Sequence, residues 1–138
     1  MSSIRSIRSP GLRHADYADA VVVPEGFELV VLAGCCPLDA DGATVAPGDL
    51  AAQTRAALEN LDAVLRECDA DLADVAFIRV LVATTARDDL GTAWTVVRER
   101  FGTHEPPGTL QGVTVLGYPD QLVEIEAVAA RPARQPSG

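Results

Sequence analysis

The chain has 138 residues, 48% of them hydrophobic but only 4% aromatic, and carries 20 acidic against 11 basic residues for a net charge of −9. This describes one domain with an aliphatic core built from Val, Leu, Ile and Ala. Every basic residue is arginine, which excludes a lysine Schiff base and a P-loop lysine; the acidic balance weighs against a surface for nucleic acid.

Residues 1–14 contain Ser and Arg but no hydrophobic block, so they read as a flexible N-terminal segment rather than a secretory signal. No apolar run approaches the roughly 20 residues of a membrane helix, and a cytoplasmic protein is expected. Residues 15–130 form the single expected domain, and 131–138 a flexible tail. Asp16 to Val23, with its run Ala20-Val21-Val22-Val23, predicts a short strand. Pro24-Glu25-Gly26 is a turn, and Phe27 to Ala33 predicts a second strand ending at Gly34. Asp41-Gly42 signals a tight turn leading into a third strand, Ala43 to Val45.

The period changes at Leu50. Leu50, Thr54, Leu58, Leu61 and Leu65 recur at helical spacing behind Asp49, a plausible N-cap, and predict a helix to about Glu67. Arg55, Glu59, Asp62 and Arg66 read as its surface, while Gln53 and Asn60 fit either the packing face or solvent. Val75 to Ala83, interrupted by Arg79, predicts a central strand. A second helix follows, starting at Ala86-Arg87-Asp88-Asp89, marked by Leu90, Trp94, Val97 and Phe101 and ended by Gly102. Two further strands, Val113 to Leu116 and Leu122 to Ala129, flank the turn Gly117-Tyr118-Pro119-Asp120-Gln121. The order β-β-β-α-β-α-β-β predicts an α+β fold with the helices on one face of a mixed sheet. In the last strand Val123, Ile125, Ala127 and Ala129 share one face, and Glu124 and Glu126 share the other.

The three cysteines are Cys35, Cys36 and Cys68. Their odd number argues against a disulfide framework, and the spacing to His14 and His104 does not make a zinc site. Buried packing is the favoured reading for these thiols, Cys68 above all.

Several stretches together resemble one family. Asp16-Tyr17-Ala18-Asp19-Ala20-Val21, Leu32 to Asp39, the Gln53-Thr54…Leu58…Asn60-Leu61 pattern, Phe101…Pro106-Pro107, and Val123 to Ala129 look like the RidA (YjgF/YER057c/UK114) family over about residues 15–130. The resemblance implies a chorismate-mutase-like α+β subunit and a homotrimer with small-molecule pockets in the clefts between subunits. It further implies hydrolysis of reactive enamines and imines such as 2-aminoacrylate, with no metal or organic cofactor. It places the water-orienting carboxylate on Glu124, a backbone contact near Gly34 and an aromatic wall on Tyr17.

The family's substrate-binding arginine aligns with Gly108, in Pro106-Pro107-Gly108-Thr109. Its helical asparagine aligns with Trp94, and the serine before the glycine is Ala33. Trp94 also lies on the apolar stripe of its helix, which favours packing. The expected pocket, with Gly108 and Thr109 in its wall, is therefore less cationic than the family's, and 2-aminoacrylate itself is not the expected substrate. Arg79 and Arg13 are the candidate replacements for the missing cation. Cys35, directly after Gly34, is a thiol at the expected pocket, and Glu126 shares the face of Glu124. Three readings follow: an imine or enamine deaminase-type hydrolase with Glu124 as base, a non-catalytic small-molecule binder, or a ribonuclease, which the charge disfavours.

Overall fold

The computed structural model describes residues 3–13 and 15–134. Its body is a four-stranded sheet in the order β3-β6-β4-β5, made of β3 (Phe27–Val31), β4 (Val75–Ala83), β5 (Gly108–Val113) and β6 (Val123–Pro132). Two helices, α1 (Leu50–Glu67) and α2 (Arg87–Phe101), pack on one face, and β1 (Arg5–Ile7) pairs with β2 (Ala20–Val22) in a separate two-stranded sheet. The sheet is mixed. β4 and β5 run parallel, which requires a crossover that α2 supplies, while β6 is antiparallel to both β3 and β4.

The core lies between sheet and helices. Leu58, Leu61 and Leu65 of α1 and Val97 and Phe101 of α2 meet Ile78, Val80 and Val82 of β4 and Val123 and Ile125 of β6. α1 begins where its sequence says it should: the Asp49 carboxylate accepts from the Ala52 N–H at 3.0 Å. α2 ends on Gly102, whose φ of 63° is open to glycine at little cost.

The polar residues of α1 anchor loops. Gln53 is fully buried: its Nε2 donates to the carbonyls of Ala46 and Asp120, and its Oε1 accepts from the Leu122 N–H at 2.8 Å. Asn60 Nδ2 donates to the carbonyls of Cys36 at 2.8 Å and Leu38 at 3.0 Å. Asp62, expected on the surface, is buried because Arg66 and Arg100 both pair with it.

Further expectations differ from the structure. Ala43 to Val45 is not a strand: one isolated bridge, Leu38 to Thr44, stands there, and the Asp39 carboxylate ties the turn by accepting from the N–H groups of Asp41 and Ala43. The fifth strand is Gly108–Val113 rather than Val113 to Leu116. Gly108 and Gly112 weaken the strand signal, yet each lies where a Cβ would come within 2.4 Å of the Ile78 carbonyl oxygen or 2.6 Å of that of Thr84. The turn at 117–121 does not join paired neighbours, because β5 and β6 flank β4 on opposite sides. Finally, Arg5–Ile7, within the segment expected to be flexible, is held by pairing with Ala20–Val22, and β6 runs on to Pro132 by pairing with β3. Residues 1, 2, 14 and 135–138 of the two expected terminal segments lie outside the described residues.

Gln53→Ala is expected to strand the Leu122 N–H and destabilise the fold by about 1–3 kcal/mol, read as a lowered urea midpoint at unchanged m-value.

Candidate functional site

The face of the sheet away from the helices is set by β6. Its helix-side residues Val123, Ile125 and Ala129 are buried completely, while Glu124, Glu126 and Val128 are half-buried on the open side. The cross-strand register puts Leu81 opposite Glu124, Arg79 opposite Glu126 and Phe77 opposite Val128. On the other neighbour, Val31 stands opposite Val128 and Leu29 opposite Ala130. The open face is thus a small polar cluster in an apolar surround, the composition of a ligand site.

Glu124 is seated by the loop that follows β3. The Cys35 N–H donates to the Ile125 carbonyl at 2.7 Å, and the Ile125 N–H donates back to Cys35 at 3.0 Å. This two-bond bridge lays Gly34 directly under the carboxylate. A Cβ on Gly34 would stand 2.6 Å from Glu124 Oε2, so a larger residue there would push the flexible carboxylate out of this position. The Cys36 thiol donates to Glu124 Oε1 at 3.2 Å, and Gln121 Nε2 approaches the same oxygen at 3.5 Å while donating to the Val123 carbonyl at 3.0 Å. Both donors therefore meet one carboxylate oxygen.

The thiols are held protonated. Burial pushes Cys35 up to about 11, with the Glu124 charge adding in the same direction. Burial also pushes Cys36 up to about 11, reinforced by its hydrogen bond to Glu124 and by that charge. Neither thiol is a thiolate nucleophile at neutral pH; Cys36 acts there as a hydrogen-bond donor. Cys35, favoured for packing, is buried in the core with its sulfur near the Ala33 carbonyl at 3.6 Å. Cys68 is half-buried rather than buried.

The remaining sequence candidates fall elsewhere. Tyr17 and Gly108 line one surface hollow with Phe77. Trp94 packs against the core on the helix side, and its Nε1 donates to Asp16 at 2.9 Å, with the Tyr17 ring edge-on at 6.3 Å between centroids. The Tyr17 segment is held by charge: Arg8 donates to the Ala15 and Tyr17 carbonyls and pairs with Glu105 at 2.9 Å, while Arg98 lies 3.7 Å from Asp16 and 3.5 Å from Glu105. Arg13 borders a hollow beside Asp16 and Glu105 in this charged network. Gly108 points to the core side of β5, against Ile78, and Thr109 is the residue in register with Arg79 on the open face.

Sequence reasoning missed Cys36 and Gln121 as partners of Glu124. The strand alternation that flagged the two carboxylates carries no information about loops reaching them. Among the described residues, no group of three or more His, Cys, Asp or Glu side chains is placed to hold a metal ion, and no helix is long and apolar enough to cross a membrane.

Two helices on one face of a mixed sheet, with a carboxylate displayed on the other, define a chorismate-mutase-like α+β subunit. The chain belongs to the RidA (YjgF/YER057c/UK114) family, whose sequence model, described as Endoribonuclease L-PSP, matches residues 12–131. A RutC family protein of Pyrococcus abyssi is 32% identical over 113 residues, covering 82% of this chain and 84% of the relative. The 3-aminoacrylate deaminase RutC of Acinetobacter baylyi is 34% identical over 112 residues, covering 81% and 86%. The crystal structure of YyfB from Yersinia pestis, of the conserved Rid family, superposes with a TM-score of 0.83 at 29% identity, covering 93% of this chain and 98% of that one.

Because Glu124 raises the Cys36 thiol, Glu124→Gln should move thiolate formation to lower pH. Each unit of downward shift raises the thiolate fraction at neutral pH about tenfold. Iodoacetamide labelling of Cys36, followed by mass spectrometry across pH, should show half-maximal reactivity near 11 in the wild type and at lower pH in the variant.

Proposed function

We propose that the protein hydrolyses an imine, an enamine or a related small metabolite to a carbonyl compound and ammonia, with Glu124 as the general base. The observation that carries this reading is the seat of Glu124: a carboxylate on an otherwise apolar strand face, over a glycine that leaves it just enough space, with two donors on one oxygen. Oε2 receives neither of those bonds and is the oxygen assigned to a water molecule.

The reaction asks little of the protein. An imine carbon is already electrophilic. Glu124 takes a proton from water as the water oxygen bonds to that carbon, and the electron pair of the C=N bond moves to nitrogen. That proton then passes to the nitrogen, giving the carbinolamine; Glu124 next moves the carbinolamine's hydroxyl proton to the same nitrogen, the C–N bond breaks, and ammonia leaves as the carbonyl forms. An enamine enters by first taking a proton on carbon. The fixed carboxylate gives position as well as basicity.

The site lies, in this reading, in a cleft between copies of the chain in a homotrimer. What supports this is the open face itself: Val31 and Leu29 on its edge strand are 74% and 60% exposed, an apolar surface that calls for a cover. A cytoplasmic setting accords with three unpaired cysteines. The second reading, a binder without turnover, draws on the absence of an arginine at Gly108. A ribonuclease is disfavoured by the net charge of −9 and by two carboxylates on the open face, which repel phosphate.

The test is ammonia release from imines generated in situ by amino-acid and amine oxidases. Glu124→Gln is expected to lower kcat/KM by about a hundredfold or more. Gly34→Ala, whose added methyl meets the flexible end of Glu124, should cost a comparable loss while leaving the unfolding midpoint nearly unchanged. Wild-type turnover that survives both substitutions would sink the assignment, and ligand binding without turnover would favour the second reading.

A further inference from the structure

One side chain at the Glu124 seat takes no part in the bond changes above. Cys36 is the thiol that reaches the carboxylate; the Cys35 sulfur turns towards the Ala33 carbonyl, and Cys68 caps the far end of α1. The Cys36 sulfur has two acceptors within reach, the Gly34 carbonyl at 3.7 Å and Glu124 Oε1 at 3.2 Å. The nearer one carries a charge, so it takes the proton. Gln121 Nε2 is the weaker partner of that oxygen. At 3.5 Å it stands at the edge of hydrogen-bond range, and it already donates to the Val123 carbonyl at 3.0 Å.

The thiol is the fixed member of the pair. On one side of it the Cys35–Ile125 bridge ties the backbone to β6. On the other the Asn60 amide of α1 donates to the Cys36 carbonyl at 2.8 Å, and the next residue, Pro37, is buried. Glu124 is the soft member. The last torsion of a glutamate side chain is broad and two-fold, so nothing in the side chain itself distinguishes Oε1 from Oε2. A donor held on one oxygen does distinguish them. With Oε1 engaged, the carboxylate plane is set and Oε2 is left on the side of Gly34. The thiol keeps its proton at neutral pH, since burial, the bond to Glu124 and the Glu124 charge push it up to about 11.

We propose that Cys36 is a positioning residue for the reaction: its thiol proton holds Glu124 Oε1 and thereby presents Oε2 to the attacking water; this rests on the hydrolase reading above. No bond to sulfur forms or breaks in any step. When Oε2 takes the proton from water, Oε1 becomes a carbonyl oxygen and is still an acceptor, so the hold persists through the transfer. The base is then oriented before the substrate arrives rather than at each encounter. A misplaced base slows the chemical step without weakening the grip on the substrate, so the effect belongs to kcat and not to KM.

The test follows ammonia release by the wild type, Cys36→Ala, Cys36→Ser, Glu124→Gln and the double variant Cys36→Ala with Glu124→Gln. The substrates are 2-iminopropanoate made by an amino-acid oxidase and the neutral imine made from benzylamine by an amine oxidase. Cys36→Ala should lower kcat by about tenfold, the effect of losing one hydrogen bond to a charged group, with KM close to wild type. Cys36→Ser, which restores a donor on a shorter arm, should recover part of that loss. In the Glu124→Gln background the same Cys36→Ala should cost about twofold at most, because the thiol acts only through the carboxylate. An unchanged kcat in Cys36→Ala overturns the proposal. So does a loss of equal size in both backgrounds, or one that Cys36→Ser does not partly recover, either of which makes Cys36 a packing residue. If the wild type turns over neither imine, the hydrolase reading fails, and the hold on Glu124 is judged without turnover. Its readout is the S–H stretching band of Cys36, taken as the infrared difference between each protein and its Cys36→Ala counterpart. A band that moves to higher frequency in Glu124→Gln sustains the orienting bond; a band that stays in place overturns it.

Discussion

The bridge between Cys35 and Ile125 is the constraint on which the open face depends. Two backbone hydrogen bonds carry the chain leaving β3 onto the central strand. From that one attachment Gly34 comes to lie under Glu124, Cys36 reaches Oε1, and Asn60 of α1 can hold the Cys36 and Leu38 carbonyls from behind. The same strand buries Val123 and Ile125 against the helices. Its alternation therefore commits the fold and the carboxylate together: a register slip of one residue would bury Glu124 and expose the core.

Much of the architecture follows from periodicity. The helical spacing of Leu50 to Leu65, the Asp49 cap and the Gly102 stop all stand as read, because each is a local signal. β5 escaped because its two glycines look like breaks, when they are what lets the strand lie close against β4. The supposed hairpin at 117–121 escaped for a different reason: which strands become neighbours is decided by sheet order, and β4 inserts between the two. For the site, Glu124 and Gly34 could be placed by resemblance and alternation. Cys36 could not, since a contact between a loop and a strand 88 residues apart leaves no pattern in the sequence; Gln121 is only three residues from Glu124, but nothing in a turn's composition says that its amide folds back onto that carboxylate.

The glycine at 108 stands in the column of the family's arginine, and the strands beside it show what the open face carries instead. Comparing residue types column by column suggests a site stripped of its cation. Side-chain direction adds that a Cβ at 108 would meet the Ile78 carbonyl, while Arg79, Glu126 and Thr109 share the outward rows. The open face therefore carries one arginine beside two carboxylates among its described strand residues. Chain-wide net charge gives no account of it, for the −9 is spread over a surface on which the local balance differs.

The arm bearing Tyr17 is fastened differently from the rest. Arg8, Arg98, Asp16 and Glu105 hold it through partly exposed ion pairs, whereas Glu124 sits on strands locked by a dry core. Ionic strength acts on the first and hardly on the second, since mobile ions screen exposed charges over about 10 Å at 0.1 M. The Tyr17 arm is thus the salt-sensitive part of the molecule, able to loosen while the carboxylate and its glycine seat keep their geometry.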